Sequence, residues 1–238
     1  MANLMALLNR LVLGRALAQA GANDQPRIPE VTDEQLRAFT YDATVKVYVR
    51  DLSGRSVLDL GCGTGDSSRF LWELNAGTVV GVDISKSNIK RARAMDKNAK
   101  YIVGDAISGN FSRFGPFDVV TGIMLTSCVP NVEVLGKLVK NVRNHLQVGG
   151  ELFALVPRIK SLQEPGTYSQ PCQESDGVFS RDTYNRLLAE NRFNRVRWLP
   201  GIVSIDGLQA KGTKYWASYM ANPTYQMIHA RACPARSD

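Results

Sequence analysis

One nine-residue stretch, Val57-Leu58-Asp59-Leu60-Gly61-Cys62-Gly63-Thr64-Gly65, constrains this chain more than anything else in it. An apolar run delivers an acid, then three alternating glycines, and a helical pattern follows. Glycine accepts positive φ and lets a ligand approach the backbone closely. Free amides at the helix start favour an anionic group. Asp59 lies inside the apolar run, where an unpaired charge is costly. Two dinucleotide-binding registers fail. G-x-G-x-x-G from Gly61 needs glycine at 66 and meets Asp66, and from Gly63 it meets Ser68. No G-K-S/T follows, which excludes a triphosphate-binding loop as well.

Around this stretch, short apolar runs alternate with helical patterns. Strands are expected at 57–60, 78–82, 101–103, 117–123 and 151–156. Helices are expected over 66–75, from an N-cap at Ser85 through Met95, and over 132–146. The run 117–123 hardly alternates, so it reads as buried on both faces. Gly149-Gly150 marks the turn into the fifth strand. Repeated β-α units of this length imply a parallel sheet with helices on both faces. Beyond Pro157 the periodicity breaks, and residues 158–178 read as a lid or acceptor loop. A helix over 181–191, a strand over 196–204, a short aromatic helix over 215–219 and a last strand over 225–230 complete the pattern.

Length and composition, 238 residues with 44% hydrophobic and 21% charged, suit one globular domain. The formal charge of +7 is uneven: residues 1–119 hold 15 basic and 13 acidic side chains, residues 120–238 hold 14 and 9. Cys62, Cys128, Cys172 and Cys233 form no C-x-x-C pair, and with only His145 and His229 no metal site is expected. Free thiols fit a reducing, cytoplasmic setting. No apolar run reaches the length of a membrane span. Residues 1–23 contain no acid, which leaves a mitochondrial leader as the alternative to an amphipathic helix capping the domain.

The glycine stretch resembles motif I of the class I S-adenosylmethionine-dependent methyltransferases, D-x-G-x-G-x-G, at Asp59, Gly61, Gly63 and Gly65. The resemblance continues along the expected sheet. Val79-Val80-Gly81-Val82-Asp83-Ile84 is similar to the second motif, in which the acid accepts both ribose hydroxyls. Gly104-Asp105-Ala106 resembles the adenine-binding corner. Phe117 to Met124 resembles the fourth-strand motif whose end faces the methyl donor, and Leu146 to Gly150 resembles the turn before strand five. The resemblance implies a Rossmann-like, doubly wound seven-stranded sheet, mostly parallel with an antiparallel last strand. It also implies S-adenosylmethionine as cofactor, held by Asp59, Gly61, Cys62, Gly63, Gly65, Asp83, Ile84, Asp105, Ala106, Gly122, Met124 and Tyr41. One methyltransferase domain is then expected over 1–238. Its parts are an N-terminal helical cap (1–52), a cofactor-binding core (53–157), the lid (158–178) and the C-terminal part of the sheet (179–238).

For the acceptor, the fold decides nothing. No N/D-P-P-Y/F tetrad follows strand four, and Pro171-Cys172-Gln173 sits after strand five, out of place for a cytosine-C5 nucleophile. Phe179 to Tyr184, Asn191-Arg192-Phe193 and Lys214 to Pro223 resemble small-molecule methyltransferases of the toxoflavin-biosynthesis type. The expectation is therefore methyl transfer to N or O of a small molecule, with Thr126, Tyr168 and Tyr48 as acceptor contacts and no nucleic-acid partner. The alternatives are an RNA or protein methyltransferase using Arg181, Arg186, Arg192, Arg195 and Arg197, and a non-catalytic cofactor-binding subunit. No catalytic base is assigned: His229 reads as a structural strand histidine, and His145 as a helix-end partner of the dipole.

Overall fold

The structure, a computed structural model, describes residues 44–45, 47–49, 51–157, 178–200 and 225–234. Two compact units divide the chain, Met1–Tyr48 with Gly201–Thr224 and Val49–Pro200 with Tyr225–Asp238. Of the first unit, only Thr44, Val45, Val47 and Tyr48 are described. Tyr41, Tyr168, most of the lid and the expected aromatic helix at 215–219 lie outside the described residues.

In the second unit the strands are β1 Ser56–Leu60, β2 Thr78–Asp83, β3 Lys100–Val103, β4 Phe117–Ile123, β5 Leu146–Pro157, β6 Phe193–Pro200 and β7 Tyr225–Ala232. The α-helices are α1 Asp66–Glu73, α2 Lys86–Met95, α3 Val132–His145 and α4 Arg181–Glu190. The sheet order is β3-β2-β1-β4-β5-β7-β6. Strands β1 to β5 pair in parallel, and β7 runs antiparallel between β5 and β6. This is the seven-stranded, mostly parallel α/β sheet expected from the sequence.

Alternation along each strand assigns the two faces. Leu58, Leu60, Val120, Leu152, Ala154 and Ile228 join Leu135, Leu138, Val139 and Val142 of α3 and Leu187 and Leu188 of α4 in one core. The alternate residues Asp59 and Gly81 face Ser68 of α1. Ser85, Asn131 and Ser180 cap α2, α3 and α4 by accepting the amides of Asn88, Val134 and Thr183, as short polar side chains at N-caps do.

Two expected strand starts move by three residues or more. Strand β5 begins at Leu146, with Gly149 at φ 80 and a register shift opposite Phe117–Val119, so the double-glycine turn lies inside the strand as an irregularity. Strand β6 begins at Phe193, and its pairing with β7 shifts between Asn194 and Arg197, where Arg195 takes φ 50.

At the starting ends of β1, β4 and β5, Glu151 accepts from His229 Nε2 at 2.9 Å and pairs with Arg55 at 2.7 Å. His229 also stacks on Phe153, with ring centroids 4.5 Å apart. The His229 hydrogen bond, with Arg55 beside it, holds the Glu151 carboxyl down at about 2, against desolvation. A depressed acid stabilises the fold above its unfolded value and loses that contribution as pH falls through the folded one. Urea unfolding should therefore show stability falling between pH 4.5 and about 2, and Glu151→Gln should flatten that limb. An unchanged limb would remove Glu151 from the acid response.

Candidate active site

The glycine turn is built by backbone bonds before any ligand is considered. Gly61 N and Cys62 N both donate to Val82 O, at 2.8 and 3.0 Å, which ties the turn to β2. Gly61, Gly63 and Gly65 take φ of 73°, 56° and 88°, conformations that cost a side-chain-bearing residue energy. The second reason for glycine differs at each position. A Cβ on Gly65 would meet the Tyr101 hydroxyl at 2.7 Å, whereas one on Gly63 would meet nothing within 4 Å among the described residues. Among those residues the Gly63 position is open, with room for a ligand against the backbone.

Asp83 ends β2 and joins it to this turn. Its Oδ2 accepts from Gly63 N at 3.0 Å, and its Oδ1 accepts from Ser85 N at 2.9 Å and Asn88 Nδ2 at 3.3 Å. The next side chain, Ile84, is 73% exposed. A carboxylate with a spare lone pair therefore stands beside an exposed apolar side chain and an open glycine backbone.

Asp59 behaves differently. It is 0% exposed; its Oδ2 accepts from Ser67 and Ser68 at 2.6 and 2.7 Å, and its Oδ1 from Thr121 at 2.8 Å. Burial raises its pKa, the three hydroxyls oppose the rise, and nearby Asp83 adds to it. Three hydroxyl contacts, from α1 and β4, were invisible in the strand pattern; Ser67-Ser68 at the helix start was their only local signal. Cys62 is buried, and burial with the two acids pushes its thiol far up. It fills space against Gly81.

Gly104 N donates to Asp83 O at 3.0 Å, which brings the Asp105 corner to the end of β2. Asp105 accepts from Ile107 N at 2.9 Å and from Ser108 Oγ at 2.5 Å. Those hydrogen bonds, Ser108 first, hold its carboxyl below the usual range. Ala106 is buried.

Past β4, Met124 takes φ 59 and its amide donates to Leu155 O at 3.0 Å. A left-handed non-glycine residue stores strain of the kind found at functional turns. Leu125 lies over the glycine turn, its Cδ1 2.9 Å from a would-be Gly61 Cβ, and contacts the Gly122 position at 3.8 Å. Thr126 is buried and lines a cavity of about 40 Å³ with Leu125, Gly122, Leu138 and Tyr184. Among the described residues, neither its Oγ1 nor the Tyr184 hydroxyl makes a hydrogen bond of good geometry. In the first unit, burial pushes the half-buried Tyr48 phenol up to about 12.

The seven-stranded sheet with this strand order is the fold of S-adenosylmethionine-dependent methyltransferases of known structure. Residues 57–150 match the methyltransferase domain family. The 2-methyl-6-phytyl-1,4-hydroquinone methyltransferase of Synechocystis sp. is 39% identical over 87 residues, covering 35% of this chain and 27% of that protein. The cypemycin N-terminal methyltransferase of Streptomyces sp. is 37% identical over 107 residues, 44% of this chain and 42% of that protein. The chain thus spans well under half the length of these curated relatives. Among solved structures, an S-adenosylmethionine-dependent methyltransferase from Mesorhizobium loti superposes with TM-score 0.66 at 18% identity, over 82% of this chain and 99% of that one. No helix among the described residues is long and apolar enough to cross a membrane.

Proposed function

We propose that this chain binds S-adenosylmethionine and transfers its methyl group to nitrogen or oxygen of a small-molecule acceptor, acting as one domain over 1–238. The carrying observation is the grouping of Asp83, exposed Ile84 and open Gly63, joined by the Gly63–Asp83 hydrogen bond. The cofactor supplies an electrophilic methyl on a positively charged sulfur. Asp83 accepts one ribose hydroxyl with its spare lone pair and the other in place of the long Asn88 Nδ2 contact at 3.3 Å, and Ile84 covers the apolar face of the adenine. Asp59 and Asp83 set a negative potential beside the glycine turn that favours a cation. Gly61, Cys62, Gly65, Gly122 and Met124 shape the turn and the wall opposite it. Asp105 and Ala106 face the base, and Tyr41, outside the described residues, is assigned to the cofactor from the sequence alone. Holding donor and acceptor in attack geometry supplies most of the acceleration, about 7–11 kcal/mol in well-oriented systems, without an assigned base.

The acceptor half rests on the C-terminal segments similar to small-molecule enzymes, with Thr126, Tyr168 and Tyr48 as contacts. By their names, the two relatives act on 2-methyl-6-phytyl-1,4-hydroquinone and on the N-terminus of cypemycin, so the acceptor is not inherited from them. One observation weighs against the RNA reading. Arg181, first of the C-terminal arginines, donates to Gln226 Oε1 at 2.8 Å and lies over the Trp198 ring at 5.1 Å. The test is incubation with methyl-labelled cofactor and extract of the source cells, fractionated by size. Label in the small-molecule fraction is expected. Label in RNA or protein overturns the acceptor reading, and calorimetric cofactor binding with no label anywhere favours a non-catalytic subunit.

A further inference from the structure

Helix α3 holds the segment that carries Asp105 and Ala106 at three backbone groups. Both amide protons of Asn141 are used: Nδ2 donates to Ala106 O at 2.9 Å and to Gly109 O at 3.0 Å. One turn later on the same helix face, His145 Nε2 accepts from Phe111 N at 2.8 Å while its Nδ1 contacts Asn141 O at 2.8 Å. Accepting at Nε2 requires a neutral ring with its proton on Nδ1, the tautomer that Asn141 O also selects. Phe111 completes the arrangement. Its buried ring lies where Cβ atoms on Gly104 and Gly109 would stand, 2.9 and 2.4 Å away, and tilts against His145 at 5.3 Å between centroids. Gly104 N to Asp83 O and Gly109 N to Asp105 O, at 3.0 and 2.7 Å, fix the two ends of the turn.

A turn needs fewer constraints than this to exist, because the Asp105 carboxylate already closes it through Ile107 N and Ser108 Oγ. The α3 contacts add placement: they fix the turn relative to the sheet end where Asp83 stands. Side chains aimed at carbonyls of a loop hold its position without touching what the loop binds.

We infer that Asn141 and His145 are positioning residues for base recognition, setting the Asp105–Ala106 turn at the distance that distinguishes adenine from other purines. The inference rests on the reading of Asp105–Ala106 as the adenine corner. Its test compares calorimetric affinities for S-adenosylhomocysteine and its inosine analogue in wild type, Asp105→Ala, Asn141→Asp and Asn141→Ala. Asn141→Asp keeps the size and removes both donors; Asn141→Ala removes the amide without adding charge, so one folded variant suffices. The expected result is at least a fivefold loss of affinity for the adenine compound and less than twofold for the inosine compound. Amide hydrogen exchange at 106–111 should quicken in the same variants while exchange in β1 and β4 stays unchanged. If Asp105→Ala abolishes the base preference and the Asn141 variants retain it, the positioning role is overturned. If Asp105→Ala leaves the wild-type preference intact, the adenine-corner reading falls, and the inference with it.

Discussion

Replacing Asp83 with alanine is expected to weaken S-adenosylmethionine binding at least tenfold, which is about 1.4 kcal/mol. Two losses combine. The carboxylate proposed to accept the ribose hydroxyls is gone, and Gly63 N loses its acceptor at 3.0 Å, which leaves the Gly61 N and Cys62 N bonds to Val82 O to tie the glycine turn to β2. Helix α2 should survive, because Ser85 Oγ still accepts from Asn88 N. Asp83→Asn separates the two losses: its remaining oxygen can take the Gly63 amide, but not that amide and two hydroxyls together. Its affinity should fall between wild type and alanine. Calorimetric affinity equal to wild type in Asp83→Ala would remove the ribose assignment.

The strand–glycine–helix stretch was legible because every local signal agreed. Val57 to Leu60 reads as strand, the glycines fall where φ turns positive, and Asp66 opens α1. Agreement across levels is what makes a sequence readable. Where local signals were silent, the reading stopped short. Arg192 and Arg195 adopt positive φ without being glycine or asparagine, so the early start of β6 carried no mark. Burial of Asp59 in the strand could be read, but its partner Thr121 is 62 positions away, and only folding brings them together. His145 read as a helix-end residue near the dipole, and the structure shows a more specific task, accepting from Phe111 across 34 positions. Likewise Asn141 lay unmarked on the polar side of a helix stripe, since nothing local reveals that both its amide protons reach carbonyls of another loop.

Asp59→Asn should make the protein more stable and a poorer binder at once. The carboxyl is fully buried, and desolvation raises its pKa despite three hydroxyl donors. A raised folded pKa for an acid means that the charged form costs stability; the cost is full above the folded value and vanishes below the unfolded one. Asparagine removes the charge and keeps an oxygen acceptor for Thr121, and the Ser67 and Ser68 hydroxyls, which share the other oxygen, can turn to accept from its amide. Stability at neutral pH should rise, because desolvation is the largest influence on this carboxyl. The wild-type advantage lies in binding. A buried negative charge beside the glycine turn attracts a cationic cofactor in a medium that screens poorly, so affinity for S-adenosylmethionine should fall at least tenfold. The neutral demethylated product should lose less, because it lacks the sulfonium charge. Urea unfolding and calorimetry with both compounds test this together. Equal stability and equal affinity in the variant would show that the three hydroxyls fully compensate the charge, and that Asp59 contributes packing alone. Asp59→Ala is the contrasting case. It leaves the buried Ser68 and Thr121 hydroxyls without an acceptor, at about 1–3 kcal/mol each. It should therefore destabilise the fold, so only the asparagine variant separates the cost of the charge from the need for an acceptor.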